Sequence, residues 1–387
     1  MLKELQEKKE AMEQYLKTRE IYVGNCNYEQ KKALTSYMPL CKLDKKIWQR
    51  SKRNVLSEGL ASFYPFTSYE MSDEDGIFLG INEMNNSLCI ADFFNTKNYK
   101  NANIAIMGTT GAGKTYLIQL LATRFRKKKI QTFIIAPDKG HEFQRTCDNI
   151  GGEFISISPG GSQCINVLEI RKKDDSANRL LDGTAVVQSE LALKIQNLHI
   201  FFHLLIPQLT PEEDQILDEA LIVTYNKKGI THDNASLNDP NKPGCYKEMP
   251  IIGDLYDELV KRGDCRHLVG MLNRFVNGSV SSLNQQTNVD TENMYTVIDI
   301  STLTGDLLTA GMFIALDFVY SKAKENRTKK KAIIIDEIWE LIGSKSNTKA
   351  AEYALEIFKI IRGYGGSAIC ATQDLNDFFA LEDGKYG

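Results

Sequence analysis

The sequence lacks several features that would assign it to common protein classes. Its apolar runs, such as Ile104–Met107 and Ile333–Ile335, are far shorter than the ~20 residues that a membrane-spanning helix needs. It begins with a charged segment and not with the apolar core of a secretory signal peptide. Its eight cysteines include no C-x-x-C pair, which argues against a zinc site or a disulfide framework. These absences predict reduced thiols in an intracellular protein.

Neither sign of charge predominates in the chain. Its 47 basic and 50 acidic residues give a net charge of −3, which argues against a polybasic nucleic-acid binder. Two local basic runs, Arg124–Lys129 and Arg327–Lys331, are either solvated helix ends or the lining of a DNA path in an oligomer. A composition that is 42% hydrophobic excludes global disorder, and 387 residues predict two or three domains at roughly 100–200 residues each.

Strand patterns alternate with helix patterns in two separated parts of the chain, which predicts an α/β fold with a mainly parallel sheet. The expected strands are 77–81, 87–91, 103–107, 131–136, 153–158, 295–300, 332–336 and 367–372. Between about 183 and 277 these patterns stop and apolar residues recur with helical spacing. We therefore expect a helical or linker segment at 1–75, an α/β domain in two parts at 76–182 and 291–387, and an all-α insertion domain at 183–290.

Gly108–Thr115 has the sequence GTTGAGKT, which fits the phosphate-binding pattern G-x-x-x-x-G-K-[ST]. Glycines let backbone N–H groups turn inward around an anion, and the following helix directs its positive dipole end to the same place. We expect Lys114 to reach the β- and γ-phosphates of ATP and the Thr115 hydroxyl to bind Mg²⁺. The predicted nucleotide-binding residues are Gly108, Thr109, Thr110, Gly111, Ala112, Gly113, Lys114, Thr115 and Tyr116. The alternative is a simple glycine turn at a helix start.

An acid pair follows the apolar run Ala332–Ile335. Asp336 stands where a buried strand ends, so we predict that it holds the Mg²⁺ water shell. Glu337 is a candidate general base for the attacking water, which favours ATP hydrolysis over phosphate transfer to a substrate. Without a phosphate-binding loop, such a pair would indicate only the surface end of a strand.

Three further candidates follow from the same strand pattern. Gln373, with Thr372 beside it, ends the last strand, where it is either a sensor of the γ-phosphate or a strand cap. Arg362 precedes a helix-ending glycine, so it either enters the nucleotide site of a neighbouring subunit or stabilises its own helix dipole. Glu142, in the segment 138–142 after the second strand of the sheet, either orders the site or caps a loop. The absence of an N-K-x-D motif disfavours a GTPase.

The order of motifs resembles that of the large conjugative ATPases of type IV secretion systems, the VirB/TraC type. The shared segments are ASFYPF, GIFLGIN, GTTGAGKT, APDKGHEF, INVL, IIIDEIWEL and GYGGSAICATQDLNDFF. Two of them are the most specific. One is D-E-x-W, formed by Asp336, Glu337 and Trp339, and the other is R-G-Y-G-G at 362–366, followed by the strand that ends in Thr372 and Gln373. Conjugative coupling proteins and HerA/FtsK translocases share the same core.

The resemblance implies a RecA-like domain with an all-α insertion. It implies ATP hydrolysis at the cytoplasmic face of the inner membrane, which powers pilus or channel assembly and substrate transfer. The implied partners are inner-membrane and pilus components, a coupling protein and further copies of the chain, in a hexamer or, in isolation, as a monomer or dimer. Family members are usually longer, so we expect this chain to be the C-terminal ATPase portion of a larger protein.

Two other functions remain open at this point. One is a DNA-translocating coupling protein or HerA/FtsK-like ATPase, in which DNA would stimulate hydrolysis. The other is a nucleotide-gated assembly scaffold that hydrolyses little ATP unless its partner proteins are present.

Overall fold

The computed structural model describes residues 2–39, 42–52, 54, 56–61, 70–172, 188–206, 208–338 and 348–373. Trp339 and most of the ASFYPF segment lie outside the described residues. The chain divides into two compact units, Met1–Tyr69 and Glu70–Gly387. The described helices of the first unit are α1 (Leu2–Thr18), α2 (Gln30–Tyr37), α3 (Lys45–Ser51) and α4 (Ser57–Ala61).

The second unit is built on a six-stranded parallel sheet and a separate antiparallel hairpin. The hairpin consists of β1 (Ile77–Ile81) and β2 (Leu88–Ala91). The sheet strands are β3 (Ile104–Met107), β4 (Gln131–Ala136), β5 (Glu153–Ser156), β6 (Tyr295–Asp299), β7 (Lys331–Ile335) and β8 (Gly366–Thr372). Their spatial order is β3-β8-β7-β4-β6-β5, and each neighbouring pair is parallel.

Helices cover both faces of this sheet, some packed directly on the strands and others packed on those helices. They are α5 (Lys114–Lys127), α6 (Gly140–Asn149), α7 (Glu190–Leu205), α8 (Pro211–Lys227), α9 (Ile252–Arg262), α10 (Arg266–Val276), α11 (Asp306–Glu325) and α12 (Thr348–Ile360). Every residue of β4 is buried, and its side chains alternate between two cores. Phe133 and Ile135 belong to the core that includes α7 to α12, whereas Ile134 and Ala136 belong to the core beneath α5 and α6. Burial on both faces explains the uninterrupted apolar run of this strand.

The α/β fold with a mainly parallel sheet is confirmed, and each expected strand lies within two residues of its predicted bounds. The described residues between β5 and β6 form α7 to α10 together with short 3₁₀ turns. The division into domains at 76–182, 183–290 and 291–387 stays a prediction, since residues 70–387 form one compact unit. Among the described residues, no helix is both long and apolar enough to cross a membrane.

The helix α11 was not predicted from the sequence. Of its 20 residues, 14 are buried, including Phe313, Phe318 and Tyr320. A helix that is apolar on nearly every side has no polar face, so the spacing that reveals an amphipathic helix is weak.

A buried ion pair joins three of the helices. The Lys194 ammonium on α7 donates to Asp317 Oδ2 on α11 at 2.7 Å, and both side chains are less than 10% exposed. Asn197 Nδ2 and Tyr353 Oη donate to Asp317 Oδ1 at 3.1 and 3.0 Å. Burial lowers the pKa of Lys194, and the Asp317 carboxylate opposes that change. Asp317 is therefore the shared acceptor for α7 and α12.

We expect Asp317→Ala to lower the free energy of unfolding by about 3–5 kcal/mol, because it leaves the buried Lys194 charge without its partner. Urea denaturation followed by circular dichroism measures this loss. The control is Glu219→Ala, which removes an exposed ion pair with Arg262 and should leave the midpoint unchanged. Equal midpoints for the two variants would contradict the assigned role of Asp317.

Candidate nucleotide site at the carboxyl edge of the sheet

The strand order brings the predicted site residues together. Parallel strands end at the same edge, and β3, β8, β7 and β4 are consecutive neighbours. The glycine loop follows β3, Gln373 follows β8, and Asp336 follows β7. These segments border one cleft of about 240 Å³. The residues that line it are Thr109, Thr110, Gly111, Gly113, Lys114, Thr115, Tyr116, Asp138, Lys139, Glu142, Asp336, Glu337 and Gln373.

The glycine loop has the backbone shape that its sequence predicts. Gly111 and Gly113 have φ angles of 81° and 90°, in the left-handed region where a Cβ is strained. Gly113 directly precedes α5, whose buried face anchors the loop to the sheet through Ile118, Leu121 and Phe125. The start of a well-anchored helix therefore lies at the cleft, as an anion site requires.

Seven of the nine predicted nucleotide-binding residues line the cleft, and Gly108 and Ala112 do not. The Lys114 ammonium donates to the backbone carbonyl of Gly108 at 2.7 Å. This bond folds the lysine along its own loop and keeps its charge at the cleft.

Asp336 is a buried carboxyl group at the end of β7, only 6% exposed. Burial raises the pKa of Asp336 to about 6, and the neighbouring Glu337 carboxylate contributes in the same direction. The Glu337 N–H, which donates to Asp336 Oδ1 at 3.2 Å, and the Lys114 ammonium oppose the rise. A bound cation would favour the ionised form of such a group.

Glu337 has a strained backbone, with a φ of 46° in a residue that is not glycine, and it is 6% exposed. Non-glycine residues in the left-handed region cost roughly 1–3 kcal/mol and cluster at functional sites. The conformation turns the chain sharply directly after Asp336.

Gln373 joins Glu337 to the glycine loop. Its Nε2 donates to Glu337 Oε1 at 2.6 Å, and its Oε1 accepts from Thr110 Oγ1 at 2.5 Å. An ionised carboxylate can only accept, so the amide nitrogen must face Glu337 and the amide oxygen must face the hydroxyl. A hydrogen-bonded chain thus runs from Thr110 through Gln373 to Glu337. Thr372, the other candidate in this segment, is 1% exposed and does not line the cleft.

The segment after β4 contributes more to the cleft than the sequence suggested. Glu142 lines the cleft, as its candidate role in ordering the site requires, and Asp138 and Lys139 line it as well. Their position follows from the adjacency of β4 and β7, which the sequence does not reveal.

Arg362 is not part of this cleft. It is exposed on the 3₁₀ turn Ile361–Tyr364, which Gly365 links to the first residue of β8. Gln373 follows the last residue of the same seven-residue strand, so about 20 Å of strand separate the two side chains. Arg362 therefore lies at the amino edge of the sheet, beyond reach of the glycine loop of its own chain.

The cleft offers hard oxygen ligands for a cation. The described residues contain no group of three or more His, Cys, Asp or Glu side chains placed to hold a metal ion. Mg²⁺ needs no such group, since it is typically bound by one or two carboxylates, water and substrate phosphates. Thr115 and Asp336, which both line the cleft, fit this mode of binding.

Comparisons with known proteins agree with this geometry. The family described as an AAA-like domain matches residues 85–385, well over half of the chain. Protein TraC of Escherichia coli K12 is 27% identical over 298 residues, which are 76% of this chain and 31% of TraC. The chain thus spans about a third of the length of that relative.

Solved structures show the same likeness. VirB4 of Thermoanaerobacter pseudethanolicus superposes with a TM-score of 0.70 at 28% identity, over 82% of each chain. The plasmid coupling protein TrwB, solved with a non-hydrolysable ATP analogue, is a weaker match at 15% identity and a TM-score of 0.43, over 73% of this chain and 67% of TrwB. The resemblance predicted from the motifs is confirmed: the chain belongs to the AAA-like domain family and is a relative of the VirB4/TraC-type proteins of type IV secretion.

Proposed function

We propose that this chain is the ATP-hydrolysing motor of a conjugative type IV secretion system, where it energises pilus or channel assembly and substrate transfer. The observation that carries the proposal is the hydrogen-bonded chain Thr110–Gln373–Glu337. It couples a phosphate-binding loop to a buried carboxylate, which a site for nucleotide binding alone does not require. The relatedness to VirB4 and TraC supplies the biological setting.

In this proposal the glycine loop and Lys114 bind the phosphates of ATP. Thr115 and Asp336 hold Mg²⁺, which when bound would neutralise phosphate charge. The cleft supports this assignment, because it brings a lysine ammonium, a hydroxyl and a buried carboxyl group to one place. Tyr116, which is 69% exposed beside the loop, is available to contact the remainder of the nucleotide.

Glu337 acts as the general base in this scheme. It accepts a proton from the water that attacks the γ-phosphorus, and the products are ADP and phosphate. Gln373 restrains the Glu337 carboxylate through its Nε2 bond. A ligand that engages the Gln373 amide or the Thr110 hydroxyl would change that restraint, which gives Gln373 the properties of a γ-phosphate sensor.

Arg362 stabilises the transition state in a neighbouring copy of the chain. The distance of Arg362 from its own cleft supports action between subunits, because the exposed guanidinium lies at the opposite sheet edge. A homo-oligomer in which the amino edge of one subunit meets the carboxyl edge of the next, such as a hexameric ring, would bring the two together.

We place this motor in the cytoplasm, peripheral to the inner membrane, together with a coupling protein and inner-membrane and pilus components. The support is the kinship with TraC and VirB4. The 27% identity to TraC covers 31% of that protein, so the division at 76–182, 183–290 and 291–387 is likewise proposed for the ATPase portion only.

We expect Lys114→Ala and Glu337→Gln to abolish ATP turnover, each by about 100-fold or more, since one removes phosphate binding and the other the general base. Only Glu337→Gln should retain tight nucleotide binding. Phosphate release and the fluorescence of a bound ATP analogue measure the two properties. Wild-type turnover in Glu337→Gln would contradict the assigned base.

Gln373→Leu should lower kcat by about 10- to 100-fold with little change in KM, because it frees the base while leaving Lys114 and the backbone of the phosphate loop unchanged. Thr110→Ser keeps the hydroxyl and is the matched control, with kcat close to the wild type. Steady-state kinetics at saturating Mg²⁺ separate the two parameters. A Gln373→Leu enzyme with raised KM and normal kcat would assign Gln373 to binding instead.

Turnover per subunit should rise with protein concentration, and Arg362→Ala should lower the plateau about 10³-fold, the contribution typical of such an arginine. A flat dependence on concentration would contradict action between subunits. The same assay with added DNA tests the translocase alternative, which predicts a strong, salt-dependent stimulation.

A further inference from the structure

Lys331 is a lysine almost fully inside the protein. It is the first residue of β7, and 1% of its surface is exposed. Lysine is seldom buried unless its charge is paired, because removing the ammonium from water is costly. The Lys331 ammonium donates to three backbone carbonyls: that of Asn326, that of Lys329 at 3.2 Å and that of Tyr364 at 3.3 Å. Its three protons thus match three acceptors.

These carbonyls belong to two backbone turns that lie against each other. Asn326 and Lys329 are in the turn before β7, whereas Tyr364 is in the turn that carries Arg362. Gly365 closes the second turn with a φ of 69°. A Cβ at Gly365 would lie 2.8 Å from the Arg327 carbonyl and 3.1 Å from the Lys329 carbonyl, so the two turns are in direct contact.

The residues on both sides of Arg362 are held in place. Ile361 is fully buried, and the Lys331 N–H donates to the Gly365 carbonyl at 3.2 Å. The Tyr364 ring packs between the Arg327 guanidinium, 4.7 Å from the ring centroid, and the Tyr320 ring at 6.4 Å. Arg362 itself remains exposed. Arg362 is therefore an exposed cation on a turn that is held in place on both sides of it.

From this geometry we propose that Lys331 is a positioning residue for Arg362: its buried ammonium fastens the arginine-bearing turn so that Arg362 is presented in one place to the nucleotide site of a neighbouring copy of this chain. The inference rests on the proposed function, since it concerns Arg362 acting between subunits. If the turn is fixed beforehand, assembly has to order only the Arg362 side chain and not its backbone, which is the advantage of preorganisation.

The electrostatic surroundings of Lys331 make this role dependent on pH. Burial lowers the pKa of Lys331 to about 8, the Lys329 ammonium acts in the same direction, and the Glu325 carboxylate opposes them. The two turns that meet at Lys331 also carry two other titratable groups, the Arg327 guanidinium and the Tyr364 hydroxyl. A protonated Lys331 offers three donors, whereas the neutral amine offers two and would direct its lone pair at a carbonyl.

The test uses subunit mixing with the full chain. Lys331→Met, which removes the charge at similar volume, should lower kcat by about 10- to 100-fold with KM nearly unchanged. Lys114→Ala is inactive but keeps a normal Arg362 turn. An equimolar mixture of the two should regain activity at least several-fold above either alone, because the intact cleft of one meets the intact arginine turn of the other.

Two further mixtures separate this inference from the proposed function. Arg362→Ala with Lys114→Ala should also regain activity, whereas Lys331→Met with Arg362→Ala should not, because both lack the same half of the interface. Recovery with Arg362→Ala but not with Lys331→Met would overturn the role of Lys331 alone. Failure of both to recover would overturn the action of Arg362 between subunits.

The matched control is Lys322→Met, which removes another buried lysine, paired with Glu292 and Glu325. It should show a normal kcat, and the melting temperatures of both variants report any general loss of folding. An equal loss of kcat in both variants would mean that the effect is a general loss of folding.

A pH profile of the wild type tests the same idea without a substitution. The ratio of the wild-type kcat to the kcat of Lys331→Met should fall as the pH rises through about 8, because Lys331 loses a proton and one of its donors. The folded-state pKa lies below the ordinary value of 10.5, so between about pH 8 and 10.5 the unfolded chain binds more protons, and the unfavourable contribution of Lys331 to stability shrinks as the pH rises. Activity and stability should therefore change in opposite directions. Parallel kcat profiles for wild type and Lys331→Met would overturn the proposal.

Discussion

The position of β8 between β3 and β7 is the constraint on which the site depends. The strand separates the glycine loop from the acid pair by one strand width and places Gln373 in that gap. The two hydrogen bonds of the Gln373 amide, 2.6 Å to Glu337 and 2.5 Å to Thr110, then bridge it. A sheet in which β3 and β7 were direct neighbours would leave no room for a side chain between the glycine loop and Glu337.

The same strand connects the two edges of the sheet. Its carboxyl end meets the cleft, and its amino end follows the turn of Arg362. A rise or tilt of β8 would therefore move both Gln373 and Arg362, the residues proposed to sense one nucleotide and to act on another. If Arg362 acts between subunits as proposed, this strand would be a direct mechanical route by which neighbouring subunits act in succession.

Much of the site was predictable because its chemistry is local in sequence. The loop 108–115 and the pair Asp336 and Glu337 can be recognised from residue types and spacing alone, and a parallel sheet brings the strand ends together. The bond between Thr110 and Gln373 joins residues 263 positions apart, so only the strand order reveals it. For Lys331 the sequence was misleading. The basic run Arg327–Lys331 suggested a solvated helix end, but Lys331 within it is buried, because the backbone folds back to supply acceptors for its ammonium.

The helices between β5 and β6 also have a consequence for how this protein can be divided. Leu198, Leu221 and Leu272, on three of those helices, pack in one core with Phe133 of the sheet and Phe318 of α11. Asp317 ties α7 to α12 within that core. Excision of residues 190–276 would thus leave α11 and α12 on the sheet but expose the apolar side chains that they bury against those helices. The sheet and the helices between β5 and β6 share one of the two hydrophobic cores, so neither is a self-contained folding unit.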